Sequence, residues 1–166
     1  KEINEFQRDV RRKVLTHYAV EQDTTDLADG LILINMVVDI ERIGDYCKNI
    51  LDLAINHDQS INSSEISEDL AMVEEEVKSR FDKTIQAIQS QDIEIARSLM
   101  KGYKKQMTGK SDEIVNGILK NELHFGSEAR TASIALYARY LKRIGAHLKN
   151  ITTTLVNPFD AIGYKE

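Results

Sequence analysis

The chain has 166 residues, of which 42% are apolar and 30% charged, so it can bury a core. Its formal net charge of −5 argues against nucleic-acid binding, because neutralising phosphates requires a basic surface. Cys47 is the single cysteine, which excludes an intrachain disulfide and a cysteine zinc cluster. We therefore expect a globular protein in a reducing compartment, without nucleic-acid partners.

The most apolar stretch, residues 30–38, is about half as long as a helix that crosses a bilayer. No signal peptide opens the sequence, which begins KEINEFQRDV with a helical pattern. These features predict a soluble, cytoplasmic protein. The abrupt start also suggests a piece of a longer chain.

Apolar residues recur at three- and four-residue steps, without strand-like alternation. The helical segments predicted from this period are, in chain order, residues 2–19, 26–56, 65–89, 93–123 and 128–155. Ser64, followed by Ser67 and Glu68, is expected to cap the third segment, and Asp92 is the expected N-cap of the fourth. The pattern predicts an all-α, antiparallel helical bundle.

Two stretches of the sequence repeat one another. Residues 42–51 read RIGDYCKNIL and residues 143–152 read RIGAHLKNIT, with six of ten positions identical. Gly44 and Gly145 lie mid-helix in both copies, where glycine costs roughly 1 kcal/mol relative to alanine. Such a glycine is usually kept where another backbone approaches closely. We therefore expect two structurally equivalent repeats.

The repeated segments resemble a known signature. DIERIGDYCKNI at 39–50 resembles the motif of the PhoU family of phosphate-uptake regulators, and YLKRIGAHLKNI at 140–151 resembles its second copy. The joint QSQDIEIARSLM at 89–100 is also similar to the family's. The resemblance implies two tandem three-helix bundles. On that template residues 1–60 form a partial first repeat of two helices, lacking its first helix, and residues 61–166 form a second repeat of three.

Two carboxylates share one face of the second predicted helix. Glu41 and Asp45 are four residues apart, beside apolar positions that a neighbouring helix should cover. A hard cation with oxygen ligands would relieve their repulsion. The alternative is ion pairing with Arg42, Lys48 or a neighbouring helix. Asp39 points away from Glu41 and is expected to be a surface or cross-helix partner.

The resemblance implies a metal cluster on paired acidic motifs, one on each of two helices in a bundle. Glu5 and Asp9 repeat the four-residue spacing on the first predicted helix. An exposed, solvated charged face is the alternative for this pair. The predicted ligands of an iron, zinc or magnesium ion are therefore Glu5, Asp9, Glu41 and Asp45.

The second repeat departs from the family pattern at these positions. Lys142 and Ala146 stand where the first repeat has its two carboxylates, while Asp112 and Asn116 keep the spacing on the fourth segment. Lysine brings a positive charge and alanine brings no ligand atom. We expect no metal cluster in this repeat, and a structural role for His147.

The sequence contains no glycine-rich phosphate loop, no HExxH motif and no nucleophile elbow, so we expect a non-enzyme. The resemblance implies a regulator of phosphate homeostasis that restrains a phosphate transporter and its sensor kinase. It would act through protein contacts at the inner membrane face, reaching the membrane only through partners. One alternative is a PhoU-like cytoplasmic tail of a sodium–phosphate cotransporter. Another is a helical metal-storage or redox bundle.

A bundle that lacks one helix should leave apolar surface uncovered. We expect this surface on the first predicted helix, where Phe6, Val10 and Val14 share one side, and on the second predicted helix. Exposed apolar surface of this kind tends to be buried against another protein. We therefore expect a homo-oligomer or a protein partner.

Overall fold

The computed structural model describes residues 1–21, 24–56 and 67–164, which contain helices and no strand. The α-helices are α1 (Glu2–Glu21), α2 (Leu27–Asn56), α3 (Glu68–Ser90), α4 (Ile93–Tyr103), α5 (Lys110–Leu119) and α6 (Glu128–Thr153). A π-helical segment at Lys104–Gly109 joins α4 to α5, and a 3-10 turn covers Phe159–Ala161. The all-α bundle prediction is confirmed.

Ser67, one of the residues predicted to cap the third segment, and Asp92 are both N-caps, while Ser64 lies outside the described residues. The Ser67 hydroxyl accepts a hydrogen bond from the backbone N–H three residues later, at 3.3 Å. Asp92 Oδ1 accepts from the N–H groups of Glu94 and Ile95, at 2.9 and 3.0 Å. These bonds satisfy N–H groups that have no partner within the helix, and so fix where α3 and α4 begin. The predicted start at residue 65 and the boundary between residues 60 and 61 lie outside the described residues.

The predicted helix 93–123 is interrupted and ends early. The π-helical segment divides it, and α5 ends at Leu119 rather than at residue 123. The end is set by Asn121, which has a left-handed backbone with φ of 63°. The N–H groups of Glu122 and Leu123 then bond back to the Gly117 carbonyl, at 2.8 and 3.1 Å. This capping turn stops the helix before its apolar pattern runs out.

The core lies where α6 meets its neighbours. Helix α6 packs against α2, α3, α4 and α5. The buried core is formed by Ile43, Leu70, Val73, Val77, Met107, Ile114, Ile134, Ala138, Leu141, Ile144, Leu148 and Ile151. Ile43 is the single member from α2, so most of this core belongs to residues 68–151.

Helix α1 runs antiparallel along α2. Ile3 lies against Gly44 at one end of the pair, and Tyr18 lies against Gly30 at the other. None of the α1 residues is buried. The first helix therefore lies at the edge of the described fold, with much of its surface open. None of the helices in the described ranges is long and apolar enough to cross a membrane.

Candidate functional site

Helices α2 and α6 bring the two copies of the repeated motif together. Tyr46 on α2 lies beside Tyr140 on α6, with ring centroids 6.0 Å apart. Asp39 on α2 bonds to His147 on α6, at 2.7 Å. Exchanging the repeats turns one contact into the other, because Tyr46 aligns with His147 and Tyr140 aligns with Asp39. The repeats are therefore related here by an approximate two-fold axis.

Gly44 and Gly145, which the two repeats share, each have a side chain packed closely against them. A Cβ atom on Gly44 would lie 2.6 Å from Ile3 Cδ1, and one on Gly145 would lie 2.8 Å from Met107 Cε. The expected close approach at both glycines is present. It is made by a side chain of an adjacent segment, whereas the sequence pattern led us to expect a backbone. Ile3 is 40% exposed and Met107 is fully buried, so the two sites differ in how far the neighbour can move.

Asp39 is the centre of a buried polar cluster between the repeats. Its side chain is 12% exposed, and Oδ1 accepts from His147 Nδ1 at 2.7 Å and from Asn150 Nδ2 at 3.1 Å. The bond to Asp39 assigns the proton to Nδ1 of His147. His147 Nε2 is buried and has no hydrogen-bond partner among the described residues. Of the two roles predicted for Asp39, surface residue or cross-helix partner, the structure shows the second.

Aromatic and cationic contacts extend this cluster along α2. Tyr46 stacks on His147, with centroids 5.8 Å apart, and its hydroxyl accepts from Arg143 Nε at 3.1 Å. Comparison of the two repeats could have indicated these residues from the sequence. The two repeats differ at these positions, since Asp39 aligns with Tyr140 and Tyr46 aligns with His147. Asp39 contacts His147, and Tyr46 contacts Tyr140. These side chains bond to one another, which is typical of a structural contact between helices.

The predicted metal ligands on α2 pair with an arginine between them. Arg42 Nε lies 3.7 Å from Glu41 Oε2, and Arg42 Nη1 lies 3.4 Å from Asp45 Oδ2. The Glu41 side chain is 15% exposed and the Asp45 side chain 46% exposed. Pairing with Arg42, the alternative to a metal, is therefore present in this arrangement.

The predicted ligands on α1 are both exposed. Asp9 Oδ1 accepts from Arg12 Nη1 at 3.2 Å, and Glu5 lies one turn earlier. In residues 1–21, 24–56 and 67–164 no group of three or more His, Cys, Asp or Glu side chains is placed to hold a metal ion. The four predicted ligands do not form one ligand set as arranged. Metal binding stays a prediction from the family resemblance.

In the second repeat a salt bridge stands at the corresponding place. Lys142 Nζ donates to both carboxylate oxygens of Asp112, at 2.6 and 2.7 Å. The Lys142 side chain is largely buried, with 18% exposed. An ammonium group thus lies between α5 and α6 where the family pattern implies a cation. The Lys142 ammonium group supplies a positive charge beside Asp112, which offers a physical reason why this repeat lacks the carboxylates of a metal site.

An apolar groove opens between α2 and α3. Its volume is about 450 Å³, and it is lined by Ile3, Ile40, Ile43, Gly44, Cys47, Phe81, Thr84, Ile85, Ile88, Leu148 and Ile151. Partial burial here raises the pKa of the Cys47 thiol, which keeps it in the unreactive protonated form. We call this feature the α2–α3 groove. The sequence predicted uncovered apolar surface on the first two helices, and residues of α2 line this groove.

The comparison with protein families decides the assignment. The model of the PhoU domain matches residues 1–54 and 70–155. The chain belongs to the PhoU-domain family. The first matched stretch of this PhoU-domain chain contains α1 and nearly all of α2, and the second runs from α3 through α6. Neither the curated proteins nor the solved structures compared with the chain include a match.

Proposed function

We propose that this PhoU-domain chain is a regulator of phosphate transport that acts through protein contacts and catalyses no reaction. Its partners on this proposal are a phosphate transporter and the associated sensor kinase, at the cytoplasmic face of the membrane. The observation that carries the proposal is the match of the PhoU domain to both repeats, over most of the chain. The domain places the chain in a regulatory family, and the partners follow from the family resemblance.

The arrangement of polar groups supports a scaffold rather than a catalyst. Asp39, His147 and Asn150 bond to one another between the repeats. Lys142 and Asp112 are likewise paired with each other. Side chains that are fixed by mutual bonds hold helices in register, and a catalytic group must instead reach a substrate.

Uncovered apolar surface supports contact with other proteins. On α1, Phe6 is 53% exposed, Leu15 68% and Val20 69%. These side chains contribute little to folding stability, because the fold removes little of their apolar surface from water. We propose that α1 packs against a further protein surface, which in a self-associating regulator would be a second copy.

The proposal is tested by deleting the gene in the organism that carries it. We expect phosphate-starvation genes to be expressed even when phosphate is abundant, and repression to return when the gene is restored. A deletion strain with normal repression would contradict the proposal. Loss of sodium-dependent phosphate uptake itself, with normal repression, would also contradict it and would favour the cotransporter-tail alternative.

A further inference from the structure

We propose that the ammonium group of Lys142 takes the place of a metal ion between α5 and α6 and so keeps metal out of the second repeat. The family resemblance implies a metal cluster in each repeat, and the residues of the second repeat do not fit one. Its side chains instead supply a positive charge of their own. The proposal concerns this pair of helices and does not depend on the role in phosphate transport.

The two repeats carry opposite charges at one aligned position. Glu41 on α2 aligns with Lys142 on α6, and their side chains are 15% and 18% exposed. A charged group that is mostly removed from water requires an opposite charge close by. Glu41 lies 3.7 Å from Arg42, its neighbour on the same helix, whereas Lys142 reaches across to Asp112 on α5. The second repeat thus contains both charges of a pair that joins two helices.

The lysine contacts Asp112 as a bound cation would. Its Nζ atom donates to both carboxylate oxygens, at 2.6 and 2.7 Å, so one positive charge lies against the whole carboxylate. Metal ions also bind carboxylates through both oxygens. A metal ion beside Asp112 would lie next to the ammonium group, and two positive charges so close repel each other. Lys142 therefore occupies the position and excludes a second cation.

The charged pair lies at the outer edge of the contact between α5 and α6. Deeper in this contact the Ser111 hydroxyl donates to the Ala138 carbonyl, at 2.8 Å, and Met107 packs against Gly145. Ser111 and Met107 are fully buried, whereas the Asp112 side chain is 40% exposed. The carboxylate is therefore open to ions from solution once the lysine is removed. An external cation can then be exchanged for the internal one.

A cation that is part of the chain is present at every metal concentration. We therefore expect the contact of α5 with α6 to be insensitive to metal and to chelator. Any response of the protein to metal is then confined to the first repeat, where Glu41 and Asp45 keep their carboxylates. The second repeat serves as a support whose stability does not vary with the metal supply.

Replacing the lysine by a carboxylate tests the proposal. The background is Glu41→Gln with Asp45→Asn, so that the predicted ligands on α2 do not contribute. In this background Lys142→Glu places a second carboxylate near Asp112, and we expect a lower Tm by circular dichroism. Mn²⁺ should then raise the Tm saturably, by about 3–6 °C at about ten times its Kd. At equal ionic strength, the same Mn²⁺ concentrations should leave the Tm of the background protein unchanged.

Two further variants are the controls. Adding Asp112→Asn to Lys142→Glu removes one of the two carboxylates and should abolish the rise in Tm. Lys142→Arg keeps a positive charge and should respond to Mn²⁺ no more than the background protein does. If Lys142→Glu does not respond to Mn²⁺, or stays unfolded in its presence, the proposal is overturned. Mn²⁺ that the background protein binds, and that it loses with Asp112→Asn, overturns the proposal as well.

Lys142→Met separates the charge of the side chain from its length. We expect this variant to lower the Tm by about 2–8 °C, because a partly buried carboxylate loses its partner, while Lys142→Arg stays close to the parent. A Lys142→Met variant as stable as the parent would mean that the ammonium group does not hold α5 to α6, and would overturn the proposal. None of these outcomes bears on the deletion phenotype that tests the proposed function.

Discussion

Gly44 and Gly145 occupy aligned positions, yet their surroundings predict opposite responses to a methyl group. Alanine is favoured over glycine by about 1 kcal/mol in a helix interior. Against this gain stands the contact that the new Cβ atom makes, with Ile3 in one case and Met107 in the other. Ile3 is near the open end of α1 and can turn aside. Met107 is enclosed by the core and has no free space to enter.

We therefore predict that Gly44→Ala changes the free energy of unfolding by less than about 1 kcal/mol. Gly145→Ala should destabilise the protein by about 1–3 kcal/mol, the usual cost of overpacking a core. Urea denaturation followed by circular dichroism measures both values. Each variant is the control of the other, because the helix-propensity gain is the same. Equal stability of the two variants would contradict this account.

At the scale of helices, the sequence predicted the features that depend on residues close together in the chain. The apolar period identified the helical segments. Ser67 and Asp92 were among the predicted capping residues, because a cap bond joins residues three positions apart or fewer. The π-helical segment was not predictable in this way. Its Met107 fills the space above Gly145, on a different helix. This contact joins residues distant in the chain, so no local pattern indicates it.

In the candidate site, too, contacts within one helix were predictable from the sequence, and contacts between helices were not. The four-residue spacing identified Glu41 and Asp45 as a pair on one face, and their neighbour Arg42 as the competing partner. The bond of Lys142 to Asp112 depends on how α5 packs against α6. Sequence indicated that the second repeat had lost its carboxylates, and the structure shows which cation lies there instead.

The metal prediction belongs to the pair of helices α1 and α2. We expect protein purified without chelator to contain metal, and Glu41→Gln with Asp45→Asn to remove it. The reason is that a hard cation requires anionic oxygen ligands, while the amides are weaker donors. The double variant should keep its stability, since Arg42 is 56% exposed and can be solvated when its partners are neutral. Elemental analysis measures the metal content.

Asp112→Asn is the control for this experiment. Asp112 bonds to Lys142 in the second repeat, so its change should leave the metal content unaltered. Parent protein without metal, or unchanged metal in the double variant, would contradict the prediction. Loss of metal in Asp112→Asn would place the site in the other repeat.

At the scale of the whole molecule, a buried polar cluster centred on Asp39 helps to join the two repeats. Most of the core lies within residues 68–151, and α2 reaches it mainly through its contact with α6. Asp39 supplies the hydrogen-bond acceptor there for both His147 and Asn150. A buried carboxylate contributes little by itself, because losing its hydration offsets the bonds it gains. Removing the acceptor, however, leaves two donors buried without a partner.

We predict that Asp39→Ala destabilises the protein by about 2–4 kcal/mol, since His147 Nδ1 and Asn150 Nδ2 both lose their acceptor. Asp39→Asn should cost less, because both bonds go to the same oxygen and an amide oxygen can still accept them. Asp52→Asn, at an exposed position of the same helix, is the control and should have little effect. Chemical denaturation gives the three free energies.

The effect should also be uneven along the chain. When this polar cluster is weakened, α2 is held less firmly against α6, while α3 to α6 keep the core that they form together. Hydrogen exchange in Asp39→Ala should therefore accelerate in α1 and α2 more than in α3 and α6, because local opening requires only the contacts that join the opening unit to the rest. Acceleration of equal size in all helices would mean that the repeats unfold as one unit, and that Asp39 stabilises the whole molecule rather than the connection between its halves.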